Sequence, residues 1–293
     1  MRLRIGTRSS PLALTQTELF IKQLSTYAEF SFEVVSFKTT GDKIISKPLY
    51  DIGGKALFLK ELENALDTGA IDIAVHSLKD VPGKIDSRFS LPFFMGREYP
   101  YDCFIAREFN SLDELPMNAK VGTCSPRRIC LIKHIRPDIE IVPIRGNVET
   151  RISKLDAEEI DAIILAEAGL RRLGIFDPSF MHELDNNYFI PCAGQGVITA
   201  EVRSTDSHLI EILANATDTS ILDMVRAERG FLEALDAGCD FPVAAHITKE
   251  TEGCFLGRFM YSSNIYVVPK FISSIIDLRN KDFTKEIANQ ISR

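Results

Sequence analysis

Along the first two-thirds of this chain the spacing of apolar residues switches back and forth between a period of two and a period near 3.6. Strand-like alternation covers Arg2–Ile5, and helical spacing follows over Pro11–Tyr27. Phe32–Lys38 again reads as a strand, Leu57–Leu66 as a helix and Ile71–His76 as a strand. Regular alternation of this kind predicts an α/β fold with largely parallel sheets.

Two echoes within the pattern predict twin lobes. Ile5-Gly6-Thr7-Arg8-Ser9-Ser10-Pro11 is matched by Val121-Gly122-Thr123-Cys124-Ser125-Pro126-Arg127. Both read as a strand, a Gly-Thr turn and a Ser-Pro helix start, in which the hydroxyl caps open amides and proline takes the first helical position. The second echo sets Leu66-Asp67 and Ile71-Asp72-Ile73-Ala74-Val75 against Leu155-Asp156 and Ile160-Asp161-Ala162-Ile163-Ile164. Polar, proline-marked stretches at Gly96–Asp102 and Pro191–Gly196 read as two crossings between the lobes. Two crossings imply a hinged cleft, a favoured place for a ligand.

Beyond residue 218 the rhythm changes. A helix is predicted over Thr219–Leu235, then a turn at Asp236–Asp240, strands at Val243–Thr248, Cys254–Met260 and Ile265–Val268, and a helix near Phe283–Ile291. The expected division is domain 1 over 1–96 and 197–216, domain 2 over 102–190, and a small α+β domain 3 over 219–293.

Composition narrows the function. The 293 residues carry a net charge of −7, with 45% hydrophobic content, as in an ordinary globular protein. No apolar run is long enough to span a membrane, and the first residues enter a strand with no leader pattern, so a cytoplasmic location is expected. The six cysteines form no CxxC pair and no zinc spacing, so thiols and no metal are expected. Against the acidic background, Arg8, Arg127, Arg128, Arg145, Arg151, Arg171 and Arg172 fall in or beside short turns. A set of forked guanidiniums at equivalent turns fits a small polyanion better than nucleic acid, which favours a broad basic face. Each arginine alone would read as a solvated surface charge.

Asp80 follows the apolar strand Ile71–Val75 beside Lys79. It reads either as a turn aspartate or as a carboxylate that stabilises a developing cation. His76 reads as structural. Cys239, in a Gly-Cys-Asp turn, reads either as an inert thiol or as a nucleophile or attachment point.

These motifs, taken in order, resemble the porphobilinogen deaminase (hydroxymethylbilane synthase) family from end to end. The resemblance rests on Gly6–Leu14, Thr39–Asp42, Gly53-Gly54-Lys55 through Phe58, His76–Pro82, Gly122–Arg128, Arg145–Arg151, Ala166–Gly174, Ala193–Gly196 and Glu228-Arg229 through Gly238-Cys239. It implies three domains, the first two like hinged periplasmic binding proteins. It implies a dipyrromethane cofactor held by a thioether to Cys239, on which four porphobilinogens are joined head to tail with loss of ammonia, and release of the linear tetrapyrrole by water. Asp80 would stabilise the electron-poor azafulvene cation. Lys79, Ser10, Thr123, Ser125, Arg127, Arg128, Arg145 and Gly146 would surround the cofactor with Asp80 and Cys239. Arg8, Gln16, Phe58, Arg145, Arg151, Arg172 and Gln195 would meet the substrate, and Arg4 would also face the cleft. Cys124, Pro126, Val197-Ile198-Thr199 and Ala237 depart from the usual family pattern, and the chain after residue 248 is its least family-like part.

A monomer is expected, with no nucleic-acid or membrane partner, since no coiled-coil heptad occurs. The alternative reading is a non-catalytic hinged protein that binds a small polyanion. Such a protein needs neither Asp80 nor Cys239.

Overall fold

The two Ser-Pro sequences start two helices at matching places in two sheets. In the computed structural model, which describes residues 2–27, 29–39, 59–157, 160–238, 241–280 and 282–293, strand β1 (Arg2–Arg8) leads to helix α1 (Pro11–Leu24). Ser10 caps α1 by accepting the Ala13 amide at 3.3 Å. Its apolar stripe then buries Ala13, Phe20 and Leu24. Next come β2 (Ser31–Phe37), α2 (Lys60–Asp67), β3 (Ile73–Ser77), a 3-10 turn at Leu78–Asp80, and β4 (Phe89–Phe94).

The chain crosses over and repeats the plan with β5 (Asp102–Ile105), β6 (Lys120–Gly122), α3 (Pro126–Ile135), β7 (Glu140–Val142), α4 (Val148–Asp156), β8 (Ala162–Ala166), α5 (Glu167–Arg172) and β9 (Met181–Glu183). After the return crossing, β10 (Ile198–Arg203) completes the first sheet and α6 (Ser207–Asn215) packs beside it. The sheet orders are β2-β1-β3-β10-β4 and β7-β6-β8-β5-β9, the same topology twice.

The first strand after each crossing enters the interior of the sheet it reaches. β10 enters the first sheet and β5 the second, both antiparallel to their neighbours. The expectation of largely parallel sheets is corrected on this point: each sheet is mixed, because the strand that follows each crossing runs against its neighbours.

The two echoes in the sequence turn out to be one contact made twice. Asp72 accepts the Arg4 amide at 2.9 Å and donates its own amide to the Arg4 carbonyl at 2.8 Å. Asp161 does the same with Lys120, at 2.6 and 2.9 Å. The isoleucine before each aspartate lies where a Cβ on Gly6 or Gly122 would stand, which is why both strands carry glycine there.

The third part holds α7 (Thr219–Ala234), the antiparallel sheet β11 (Val243–Thr251), β12 (Cys254–Tyr261) and β13 (Lys270–Ile276), and α8 (Phe283–Ser292). Phe231, Ile247, Phe259, Phe283 and Ile291 form its core. The third strand was expected at Ile265–Val268, but that stretch is a turn with Tyr266 and Val268 exposed. Alternation in Lys270–Ile276 provides the strand instead, paired residue for residue with β12. The first helix ends at Leu24, short of Tyr27, and the first strand extends to Arg8. Among the described residues no helix is long and apolar enough to cross a membrane.

Candidate active site

The carboxyl ends of the parallel strands of both lobes face one cleft of about 740 Å³. Fourteen of the predicted site residues line it: Arg8, Ser10, Gln16, Lys79, Asp80, Thr123, Ser125, Arg127, Arg128, Arg145, Gly146, Arg151, Arg172 and Gln195. The remaining two, Phe58 and Cys239, lie outside the described residues. The neighbours of Cys239 in the chain, Gly238 and Phe241, both line the cleft.

From the first lobe, β1 ends in Arg8 and β3 runs into the 3-10 turn that ends at Asp80. An Arg8 guanidinium nitrogen lies 3.8 Å from the Asp80 carboxylate, and both side chains remain partly open to the cleft. Burial pushes the Lys79 ammonium down to about 8, and the nearby Arg128 charge adds to this against the pull of Asp80 and Asp102. Gln16 and Ser77 are hydrogen-bonded to each other at 2.9 Å. His76 is buried and paired with Glu201 at 3.0 Å.

From the second lobe, Ser125 caps α3 by accepting the Arg128 amide at 3.5 Å. The Thr123 hydroxyl accepts the Ser125 amide at 3.2 Å. Arg127 and Arg128 were expected to stand ready for ligand carboxylates. Both are instead already held by Asp102, at 2.6 and 2.7 Å, and are themselves buried. Burial alone would raise the Asp102 pKa, but the two guanidiniums outweigh it and hold this carboxyl well below the usual carboxylate range. Gln195, from the second crossing, also donates to Asp102 at 3.2 Å and to the Pro100 carbonyl at 2.6 Å. Arg127 Nε and Gln195 Oε1 are buried and have no hydrogen-bond partner among the described residues.

Further around the cleft, Arg151 donates Nε to the Gly146 carbonyl at 2.9 Å. Gly146 has φ of +115°, and a Cβ there would stand 2.9 Å from Thr150, so glycine is required. Arg172 donates to the Gly196 carbonyl at 2.6 Å. Burial lowers the pKa of both Arg151 and Arg172 to about 10, so each keeps its charge at neutral pH.

Two arginines do not belong to the cleft. Arg171 pairs with Glu167 and stacks on Tyr99 and Phe176, at 3.8 and 4.3 Å. Arg4 pairs with Asp72 at 2.8 Å; it lies on the same face of β1 as Arg8 but four residues earlier, towards the start of the strand and away from the carboxyl end that meets the cleft.

Asp102 is the site residue that the sequence reading missed. Its signal is a carboxylate opening the wholly buried strand Asp102-Cys103-Phe104-Ile105, a position that a charge occupies only when paired. Cys124 and Cys192 also line the cleft, and burial pushes both thiols up. Among the described residues no cluster of side chains has the makings of a metal site.

The chain is similar to known proteins over most of its length. A family model described as "Porphobilinogen deaminase, dipyromethane cofactor binding domain" matches residues 3–211. The porphobilinogen deaminase of Rickettsia bellii is 48% identical over 259 residues, covering 88% of this chain and 86% of that protein. The porphobilinogen deaminase of Rickettsia rickettsii is 47% identical over 245 residues, covering 83% of this chain and 70% of that protein. Among solved structures, the BvgS periplasmic VFT2 domain of Bordetella pertussis is similar at 15% identity and a TM-score of 0.45, covering 79% of this chain and 91% of that one. The chain belongs to the porphobilinogen deaminase family, transferases of tetrapyrrole synthesis with hydroxymethylbilane synthase activity.

Proposed function

We propose that the cleft joins four porphobilinogens head to tail on a dipyrromethane tethered through Cys239, with Asp80 as the catalytic carboxylate. The observation that carries this reading is the Asp80 carboxylate, 3.8 Å from Arg8, in a cleft whose other charged lining among the described residues is six arginines, Lys38 and Lys79 against one further carboxylate, Glu149. We read the chain as divided at about residues 96–102, 190–197 and 216–219, and residues of all three parts line the cleft.

The donor set fits a dipyrromethane. Each pyrrole brings an acetate and a propionate, and the cleft lining holds Lys79, Arg145 and Arg151, with Nε of the buried Arg127 lacking a partner among the described residues. Each well-made contact between an arginine and a carboxylate contributes about 1.5–3 kcal/mol. A tether at Cys239 is supported by Gly238 and Phe241, the nearest described residues on either side of it in the chain, which line the cleft. When bound, the dipyrromethane would supply the free pyrrole carbon to which the first unit is added, each later unit being added to the one before it.

The chain's own residues then have separable tasks. Arg8, Arg145, Arg151 and Arg172 hold the carboxylates of incoming substrate. Asp80 lies where positive charge develops on the substrate ring as ammonia departs. A fixed carboxylate in a partly dry cleft lowers that barrier by charge stabilisation. It also gives a short route for the proton that the departing amine takes up. Asp102 touches no substrate in this scheme; it keeps Arg127 and Arg128 fixed.

The test is intact-mass measurement with turnover. The purified chain should carry a covalent adduct of two pyrrole units, absent from Cys239→Ala. Asp80→Asn should keep fold and adduct while turnover falls by about two or more orders of magnitude. An active protein with an unmodified Cys239, or near-normal turnover of Asp80→Asn, would refute the reading. A protein that only binds anions would show neither the adduct nor consumption of porphobilinogen.

A further inference from the structure

The turn that carries Asp80 is held from two sides. On one side the Leu78 amide donates to the Val197 carbonyl of the second crossing at 2.9 Å. On the other side stands α7 of the third part. Its Arg229 reaches across and donates to three successive carbonyls just after Asp80: Val81 at 3.3 Å, Pro82 at 2.8 Å and Gly83 at 3.1 Å.

The approach is close as well as polar. A Cβ on Gly83 would stand 2.6 Å from the Glu233 amide nitrogen and 2.8 Å from the Leu232 carbonyl carbon. Those are backbone atoms of α7, so the turn and the helix leave no room between them. Leu78 and Val81 share one apolar cluster with Ile221 and Val225 of the same helix. Three carbonyls in a row that face away from any strand or helix need donors, and a forked guanidinium supplies them in a fixed geometry.

From this we infer that Arg229 is a positioning residue, fixing the Asp80 carboxylate relative to the third part of the chain. The inference rests on the role proposed above for Asp80 and on the attachment at Cys239. The helix that carries the clamp on Asp80 ends at Ala234, five residues before Cys239 in the sequence. A shift of the tethered end and a shift of the carboxylate are thereby coupled through one rigid element. Reaction rates fall steeply when reacting groups are misplaced by about 1 Å.

A plain structural role, gluing α7 to the first lobe, would lower stability and leave turnover per folded, loaded molecule unchanged. The two are separated in the full chain with Arg229→Met and Arg229→Lys, each alone and combined with Asp80→Asn. kcat and KM for porphobilinogen are measured on protein whose adduct has been checked by intact mass. The expected result is a kcat for Arg229→Met lower by roughly 10- to 100-fold, with KM within about twofold. Arg229→Lys, which keeps the charge but not the fork, should recover part of the loss. In the Asp80→Asn background both substitutions should cost little further, since the carboxylate they position is gone.

Losses that add in full to that of Asp80→Asn overturn the inference. So does an effect confined to KM, or normal kcat in the folded, loaded Arg229→Met protein. Should Arg229→Met fail to fold, Arg229→Lys and its double variant carry the same decision. Near-normal turnover of Asp80→Asn alone would instead overturn the role of Asp80, and the clamp with it.

Discussion

Lys79 and Asp102 show how the cleft keeps charge available. The Lys79 ammonium is held down to about 8 by burial, with help from the Arg128 charge. A folded-state pKa below the ordinary 10.5 means that the fold itself gains stability from this group as pH rises from about 8 towards 10.5. Binding of an anion has the opposite sign, because the anion prefers the ammonium. Affinity for a pyrrole dicarboxylate is therefore expected to fall as pH rises through about 8, by at most about one decade per pH unit. Titration calorimetry across that range checks it, and Lys79→Met should flatten the curve. Asp102→Asn tests the other partner. It leaves two buried guanidiniums facing a neutral amide, which is expected to cost about 3–5 kcal/mol in urea unfolding. Stability equal to the parent chain would show that the triad contributes nothing. At this scale six of the eight arginines singled out in the sequence line the cleft, while Arg171 and Arg4 are paired elsewhere. The sequence hid the pairing of Arg127 with Asp102, because that partner lies 25 residues away and only tertiary packing brings it near.

Among the elements, legibility depended on whether the local pattern had one solution. The Ser-Pro starts of α1 and α3 were readable because capping is local, and so was the second strand of each echo, with its buried run after an aspartate. The third strand of the small sheet was misplaced because Ile265-Tyr266-Val267-Val268 has strand composition, yet only Lys270–Ile276 finds hydrogen-bond partners on β12. Mixed rather than parallel sheets follow from where the strand after each crossing inserts, β5 between β8 and β9 and β10 between β3 and β4, which no local pattern encodes. The second crossing shows an element held by backbone approach. Gly196 has φ of +86°, and a Cβ there would meet the Glu98 carbonyl oxygen of the first crossing. Gly253, in the β11–β12 turn, has φ of +72° with open space around it. Gly253→Ala is thus expected to cost only the left-handed conformation, about 1–2 kcal/mol. Gly196→Ala adds a steric conflict between the crossings and should be clearly the more destabilising in denaturant unfolding at unchanged slope. Equal losses at the two glycines would mean that the crossings are not in tight contact.

For the molecule as a whole, the decisive group is Glu228, one residue before the Arg229 clamp. Its buried carboxylate accepts Arg97 of the first crossing at 2.9 and 3.0 Å, the Gly194 amide of the second crossing at 2.8 Å and the Ile247 amide of β11 at 2.9 Å. One side chain therefore joins both inter-lobe crossings to the third part. Burial by itself would raise its pKa; the Arg97 guanidinium outweighs that, with the two amides and His246 assisting, and holds it at about 2. With the folded value below the ordinary 4.5, the stability it contributes is fully present above about pH 4.5 and is lost as pH falls through about 2. Acid should thus loosen the junction of all three parts together. The measurement is unfolding free energy against pH for the parent chain and for Glu228→Gln. Near neutrality the variant should be weaker by about 3–5 kcal/mol, since Arg97 is left buried without its charge partner. Asp102 also loses stability in acid, so the parent curve alone does not isolate Glu228. The difference between the two curves does, and it should shrink steadily as pH falls from about 5 towards 2. A difference that stays constant over that window would mean that the ionised carboxylate is not what ties the crossings to the third part.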